Sequence, residues 1–128
     1  MALNEDLRRE NKVKACMIEY RGKNVCIDPS LPLLSLIGKK YTMLILGVIG
    51  NKGNRKNFNE IMRDIPFSST TIISKRLHEL QELRLIERNT DGNGVCYSLT
   101  DFGRRLRESL LQFFTVVESS FSEEGIGN

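Results

Sequence analysis

The sequence predicts a mainly α fold with a small antiparallel component, α+β in class, and three observations carry that expectation. Apolar residues recur at spacings of three and four through residues 58–65 and again through 70–84, with a break at Pro66-Phe67-Ser68-Ser69 between them. Two short strand-like runs flank Asp91-Gly92-Asn93-Gly94. Leu99-Thr100-Asp101 then opens another periodic segment. Helix, turn, helix, hairpin is the order of a winged helix-turn-helix, a three-helix core with a two-stranded wing. The expected organisation is an N-terminal extension over 1–29, the winged unit over 30–103, and a C-terminal dimerisation helix and tail over 104–128.

In chain order, residues 4–11 are polar and can form a short, frayed helix. The runs 13–19 and 25–27 flank Arg21-Gly22-Lys23-Asn24, which reads as a hairpin turn; an unbroken helix up to Tyr20 is the competing reading. Asp28-Pro29-Ser30 breaks the chain. Ser30 is expected to cap a short helix over 31–37, with Pro32 in its first turn and Gly38 at its end. Between 40 and 50, the repeat Tyr41, Leu44, Ile45, Val48, Ile49 marks a core-facing helix. Gly47 weakens that helix by about 1 kcal/mol relative to alanine, which points to a close helix crossing there. Residues 51–56 read as a polar loop.

Phe58, Ile61, Met62 and Ile65 form the apolar stripe of the next helix, capped by Asn57 and stopped by Pro66. Ser68 or Ser69 caps the following one, whose core stripe is Ile73, Leu77, Leu80 and Leu83. Subtracting that stripe leaves Ser69, Thr70, Thr71, Ser74, Lys75, His78 and Glu79 facing outward. Residues 85–89 and 95–99 are the wing strands, with the intervening glycines supplying positive φ. Thr100 caps the last helix and Asp101 lies in its first turn, where the helix dipole favours an anion. Leu106, Leu110, Phe113 or Phe114, Val117 and Phe121 line one side of it, an apolar patch that on a monomer marks an association surface.

Composition narrows the function without fixing it. A chain of 128 residues with 40% hydrophobic and 27% charged residues is long enough to bury a core without disulfides or metal. No apolar run approaches the roughly 20 residues a membrane span needs, and residues 1–6 lack signal-peptide character, so a cytoplasmic protein without a membrane partner is the expectation. The net charge of +3 is mild, but cations concentrate in and beside the central unit while acids gather near the C-terminal end. Cys16, Cys26 and Cys96 have no metal-ligand spacing, and His78 is the only histidine. No nucleophile with a base, no paired carboxylates and no phosphate loop can be assembled, so no enzyme, metal or cofactor is predicted.

A helix entering a DNA groove needs small polar or cationic side chains in its first turns. Ser69, Thr70, Thr71, Ser74 and Lys75 fit, with helix capping as the alternative role for Ser69. Arg76 is read as a phosphate clamp, the alternative being an ion pair with Glu79 or Glu82. Arg88 at the base of the wing and Asn93 near its tip are candidates for phosphate or minor-groove contact, against the reading of a plain hairpin. Helix amides near Thr42, with Lys39 and Lys40 before them, offer a further phosphate seat. The rival to DNA binding is a winged-helix protein-interaction module; a cationic helix start without exposed aromatics argues against it.

Several of these segments also resemble a known family. Residues 36–46 (Leu36-Ile37-Gly38-Lys39-Lys40-Tyr41-Thr42-Met43-Leu44-Ile45-Leu46), then Phe58-Asn59-Glu60-Ile61, Ile73-Ser74-Lys75-Arg76-Leu77-His78-Glu79-Leu80, Leu85-Ile86-Glu87-Arg88 and Tyr97-Ser98-Leu99-Thr100-Asp101-Phe102-Gly103 are similar, in the same order, to motifs of the HxlR-type branch of the MarR-like winged-helix regulators. The resemblance implies a homodimeric transcriptional regulator whose partners are double-stranded DNA and a second copy of itself. The chain departs from the pattern in its short wing and in Tyr41, which replaces the family's tryptophan. A cysteine ahead of the first helix senses oxidants in some members. Cys26 is its nearest counterpart, so a redox or small-molecule effector acting there stands beside a packed structural thiol.

Overall fold

The structure is a computed structural model and describes residues 15–124. The helix expected over 4–11 lies outside the described residues. Those residues fall into two compact units divided between Leu36 and Ile37.

The first unit is a hairpin followed by a short helix. β1 (Cys16–Tyr20) pairs antiparallel with β2 (Lys23–Ile27), from Cys16 opposite Ile27 to Tyr20 opposite Lys23. Arg21 and Gly22 close it with φ of 50° and 76°, the double positive φ of a two-residue hairpin turn. The competing helical reading therefore fails: the chain reverses at Gly22. Helix α1 (Pro32–Ile37) begins at Pro32, whose missing N–H costs nothing at a first helical position. Ser30 is not its cap. Its hydroxyl and backbone N–H both donate to Asp28 Oδ1, at 2.7 and 2.9 Å, forming a tight turn that holds the Asp28 carboxyl below its ordinary range.

The second unit holds helices α2 (Thr42–Ile49), α3 (Phe58–Asp64), α4 (Thr70–Glu82) and α5 (Asp101–Glu124), with strands β3 (Arg55–Lys56), β4 (Ile86–Asp91) and β5 (Gly94–Leu99). The sheet is antiparallel in the order β3-β5-β4. A third strand thus comes from the expected polar loop, since two residues of backbone pairing demand no apolar side chain. The core is Ile45, Leu46, Ile49, Ile61, Ile65, Ile73, Leu77, Leu80, Leu85, Ile86 and Leu99, all buried. Each such side chain contributes about 1.5–3 kcal/mol by leaving water.

The α2 stripe is the principal correction to the core. Thr42, Ile45, Leu46 and Ile49 face inward, whereas Leu44 is exposed and Tyr41 precedes the helix with a left-handed φ of 72°. Met43, Leu44, Ile45, Leu46, Val48 and Ile49 make this helix apolar almost all round, so periodicity alone leaves its buried face undetermined. The crossing expected at Gly47 is present. Arg107 Nε on α5 donates to the Gly47 carbonyl at 2.9 Å, and the same guanidinium occupies the space a Cβ would take at Gly50. A closer approach occurs at Gly103, where an added Cβ would collide with the Leu85 carbonyl oxygen.

Candidate nucleic-acid interface

Local capping sets the axis of the helix-turn-helix. Asn57 and Glu60 form a reciprocal capping box at the start of α3. Ser69 caps α4, its hydroxyl accepting the Ile72 N–H at 3.3 Å, so its side chain has a structural task. Ser68 points elsewhere and donates to Met62 Sδ at 3.7 Å. Thr100 accepts from the Gly103 N–H at 3.0 Å and donates to the Arg84 carbonyl at 2.7 Å, tying α5 to the end of α4.

With α4 fixed this way, Ile73, Leu77 and Leu80 are sunk in the core and Thr70, Thr71, Ser74, Lys75 and His78 stand on the open side. Lys75 pairs with no acid among the described residues. His78 lies 2.8 Å from Glu82. Leu83, expected in the core stripe, is only half-buried and caps the end of the helix.

Two expected contacts are already engaged within the protein. Arg76 is only 12% exposed; Nη1 donates to Glu79 Oε1 at 2.7 Å and Nε to the Lys40 carbonyl at 3.1 Å. The ion-pair alternative is the arrangement seen. Lys39 Nζ takes the other Glu79 oxygen at 3.1 Å. Burial pushes the Glu79 carboxyl up, but these two cations outweigh it and hold the group below its ordinary range. Glu79 therefore turns inward rather than outward, fastening the segment ahead of α2 to α4.

Thr42 is a second correction. It is fully buried and its hydroxyl has no hydrogen-bond partner among the described residues, so its side chain is closed to a phosphate. The cause is the rotated α2 face, which turns the first residue of the helix inward. Lys40 remains exposed, with Nζ 5.0 Å from the centre of the Tyr41 ring.

In the wing, β4 runs two residues and β5 one residue further towards the tip than expected, and Asp91 is opposite Gly94 across Gly92-Asn93. Of the two wing glycines, Gly94 has a positive φ, 110°. Arg88 and Asn93 are exposed, Arg88 on β4 and Asn93 at the tip. Asn93 donates its backbone N–H to Asp91, and Arg55 on β3 forms an ion pair with the same carboxylate; both hold Asp91 below its ordinary range. Arg55 also donates to the buried Cys96 thiol at 2.7 Å, so Cys96 packs as expected. Cys26 does not pack. It is exposed on β2, with its thiol 3.2 Å from Met17 Sδ.

Sequence reasoning missed Phe67. It is completely exposed in the turn between α3 and α4, with φ of +64°. The premise that no aromatic is exposed at the start of α4 is therefore wrong. The available signal was that Phe67 belongs to neither flanking apolar stripe.

The model of the HxlR-like helix-turn-helix family matches residues 36–124. The chain belongs to that family. This HxlR-like chain is 32% identical over 94 residues to the HTH-type transcriptional regulator YodB of Bacillus subtilis (strain 168), covering 71% of this chain and 81% of YodB. A solved structure described as a possible HxlR family transcriptional factor from Thermoplasma volcanium GSS1 superposes with a TM-score of 0.73 at 44% identity, covering 82% of this chain and 98% of that one. The reduced form of YodB superposes at 0.57 with 30% identity, covering 66% and 87%. The MarR-family structure from Enterococcus faecalis V583, 22% identical at a TM-score of 0.58 over 72% of this chain and 84% of its own, shares the fold. The winged helix-turn-helix expected from sequence is thus that of DNA-binding transcriptional regulators, and no described helix is long and apolar enough to cross a membrane.

Proposed function

We propose that this chain is a homodimeric, sequence-specific transcriptional regulator that inserts the helix over about residues 69–84 into the DNA major groove. The observation that carries this reading is the division of α4. One face is sealed in the core by Ile73, Leu77 and Leu80, and the other presents Thr70, Thr71, Ser74 and Lys75 to solvent. Hydroxyl and ammonium groups at the start of a rigidly seated helix match the donor and acceptor pattern of base edges. Ser69 supports that face as its cap, Lys40 and Arg88 supply phosphate contacts, and Asn93 lies at the wing tip. In a gel shift with genomic fragments selected by the parent protein, Lys75→Ala is expected to bind more weakly than the parent. Binding by Lys75→Ala equal to the parent's would refute the assignment of α4.

The second copy is argued from α5. Phe113, Val116, Val117 and Phe121 are exposed on its outer turns, a contiguous apolar stretch that a dimer would cover. Two recognition helices would then reach successive major grooves about 34 Å apart. Sedimentation of Phe121→Glu beside the parent tests this, with a monomer expected for the variant and a dimer for the parent.

The competing reading is a protein-interaction module, favoured by the exposed ring of Phe67. Absent or salt-insensitive DNA binding would favour it. Effector control through Cys26 is favoured by its exposure, and the relative YodB has been solved with a quinone bound. Quinone treatment that releases the parent from DNA but not Cys26→Ser is the expected outcome.

A further inference from the structure

Phe67 is anomalous in two independent ways. Its relative exposure is 103%, so the ring adds nothing to the core. Its φ of +64° lies in the left-handed region, which glycine adopts freely and a bulky residue adopts only under strain. Folding alone would be served better by glycine here. The ring is therefore held in place for something outside the unit.

Its position narrows what that is. Phe67 precedes Ser69, the cap of α4, by two residues, so it lies at the mouth of the helix turn that a helix-turn-helix sets deepest in the groove. Among residues 45–101 it is the only large apolar side chain that is exposed. The next residues in the chain are Ser68, Ser69, Thr70 and Thr71. Protein interfaces cluster their aromatic anchors in an apolar core, and between Arg63 and Lys75 no other large apolar side chain is exposed beside this one. A solitary ring among hydroxyls instead matches a target with one small apolar spot in a polar wall. The major groove offers that spot in the 5-methyl group of thymine.

We propose that Phe67 packs on a thymine 5-methyl group in each half-site and is a specificity-determining residue of DNA recognition. The inference rests on the DNA-binding reading above. The contact is apolar and neutralises no phosphate, so it leaves the salt dependence of binding unchanged.

The test uses the full chain and a genomic fragment selected by the parent. Thymines of the fragment are replaced one at a time by deoxyuridine, which removes only the methyl group. The parent is expected to lose about tenfold in affinity at one thymine per half-site, in keeping with the cost of a single lost base contact. Phe67→Ala and Phe67→Gly, which remove the ring from both half-sites, bind the unmodified fragment about a hundredfold more weakly and show no thymine preference there. Both keep the parent's salt slope, and Phe67→Gly melts no lower than the parent. Parental discrimination retained in Phe67→Ala overturns the proposal, as does a loss shared equally by random DNA. A variant that binds DNA normally but fails to retain a protein partner assigns Phe67 to a protein interface instead and also overturns it. A parent that selects no fragment overturns the DNA-binding reading and this inference together; selection by the parent with an unaffected variant overturns this inference alone.

Discussion

Arg76 and Lys75 are neighbours in sequence, yet the structure pairs the first within the protein and leaves the second open to solvent, and alanine substitutions separate them. Removing the Arg76 guanidinium deletes the hydrogen bonds to Glu79 Oε1 and to the Lys40 carbonyl and leaves a carboxylate that is only 23% exposed. A hydrogen bond to a charged group contributes about 1.5–3 kcal/mol. Lys39 still neutralises Glu79, and partial exposure screens the pair, so Arg76→Ala should cost about 2 kcal/mol in all. For a chain of 128 residues that lowers the melting temperature by roughly 8 °C. Lys75 is exposed without an acidic partner among the described residues, and its alanine variant should stay within about 0.5 kcal/mol of the parent. Fluorescence anisotropy across a salt series completes the comparison. Lys75→Ala loses about 1–3 kcal/mol of operator binding, whereas Arg76→Ala, measured well below its melting temperature, keeps the parent's salt slope. An Arg76→Ala protein that melts like the parent and whose slope falls by about two units, one for each subunit of the proposed dimer, would show that Arg76 leaves Glu79 for a phosphate, and the argument would fail.

Gly103→Ala places a methyl group against the Leu85 carbonyl, which is backbone and cannot step aside; a loss of about 2–3 kcal/mol in urea unfolding is expected, well above a typical surface alanine. The Glu79 carboxyl titrates lower in the folded state than in the unfolded chain. Its contribution to stability is therefore complete above the ordinary glutamate value of 4.5 and is lost as pH falls through the folded value. Glu79→Gln should accordingly flatten the acid limb of a stability–pH profile, and an unchanged limb would contradict the pairing. With Lys40, Lys75 and Arg88 as the proposed phosphate contacts, a dimer would neutralise about six phosphates, giving a salt slope of about −5 in a plot of log K against log salt. A slope near −10 would mean that the paired cations Lys39, Arg55 and Arg76 are released to DNA.

What could be read in the sequence was whatever depends on neighbours along the chain. The α4 stripe was legible because Ile73, Leu77 and Leu80 recur against a polar background, so one face alone is a candidate for burial. The caps Asn57, Ser69 and Thr100 were legible because a cap bonds an amide three residues away. The α2 face was not legible, since nearly every side chain on that helix is apolar, and it buries Thr42 in preference to Leu44. Nor was β3, which pairs through backbone, or Ser30, for which Asp28 is a nearer partner than the helix end. The candidate site followed the same division. The open face of α4 emerged by subtraction, whereas the Lys39–Glu79 pair joins positions 40 residues apart and leaves no periodic trace.

That last pair alters how charge on this surface should be counted. By composition the central unit is rich in cations, which invites a picture of a basic face gripping phosphates. Four of those cations have prior engagements: Lys39 and Arg76 close on Glu79, Lys56 closes on Asp64, and Arg55 closes on Asp91 while bonding Cys96. These pairings also weld elements together: α4 to the segment before α2, β3 to the end of α3, and β3 to the wing. The acids that seem out of place on a DNA-facing side thus set the geometry and reduce the free positive charge at once. Indiscriminate phosphate attraction scales with free cations, so such a surface depends for tight binding on what its uncharged groups can read. Under the proposed function those groups are the hydroxyls of Thr70, Thr71 and Ser74 and the ring of Phe67, and discrimination between base pairs would come from them.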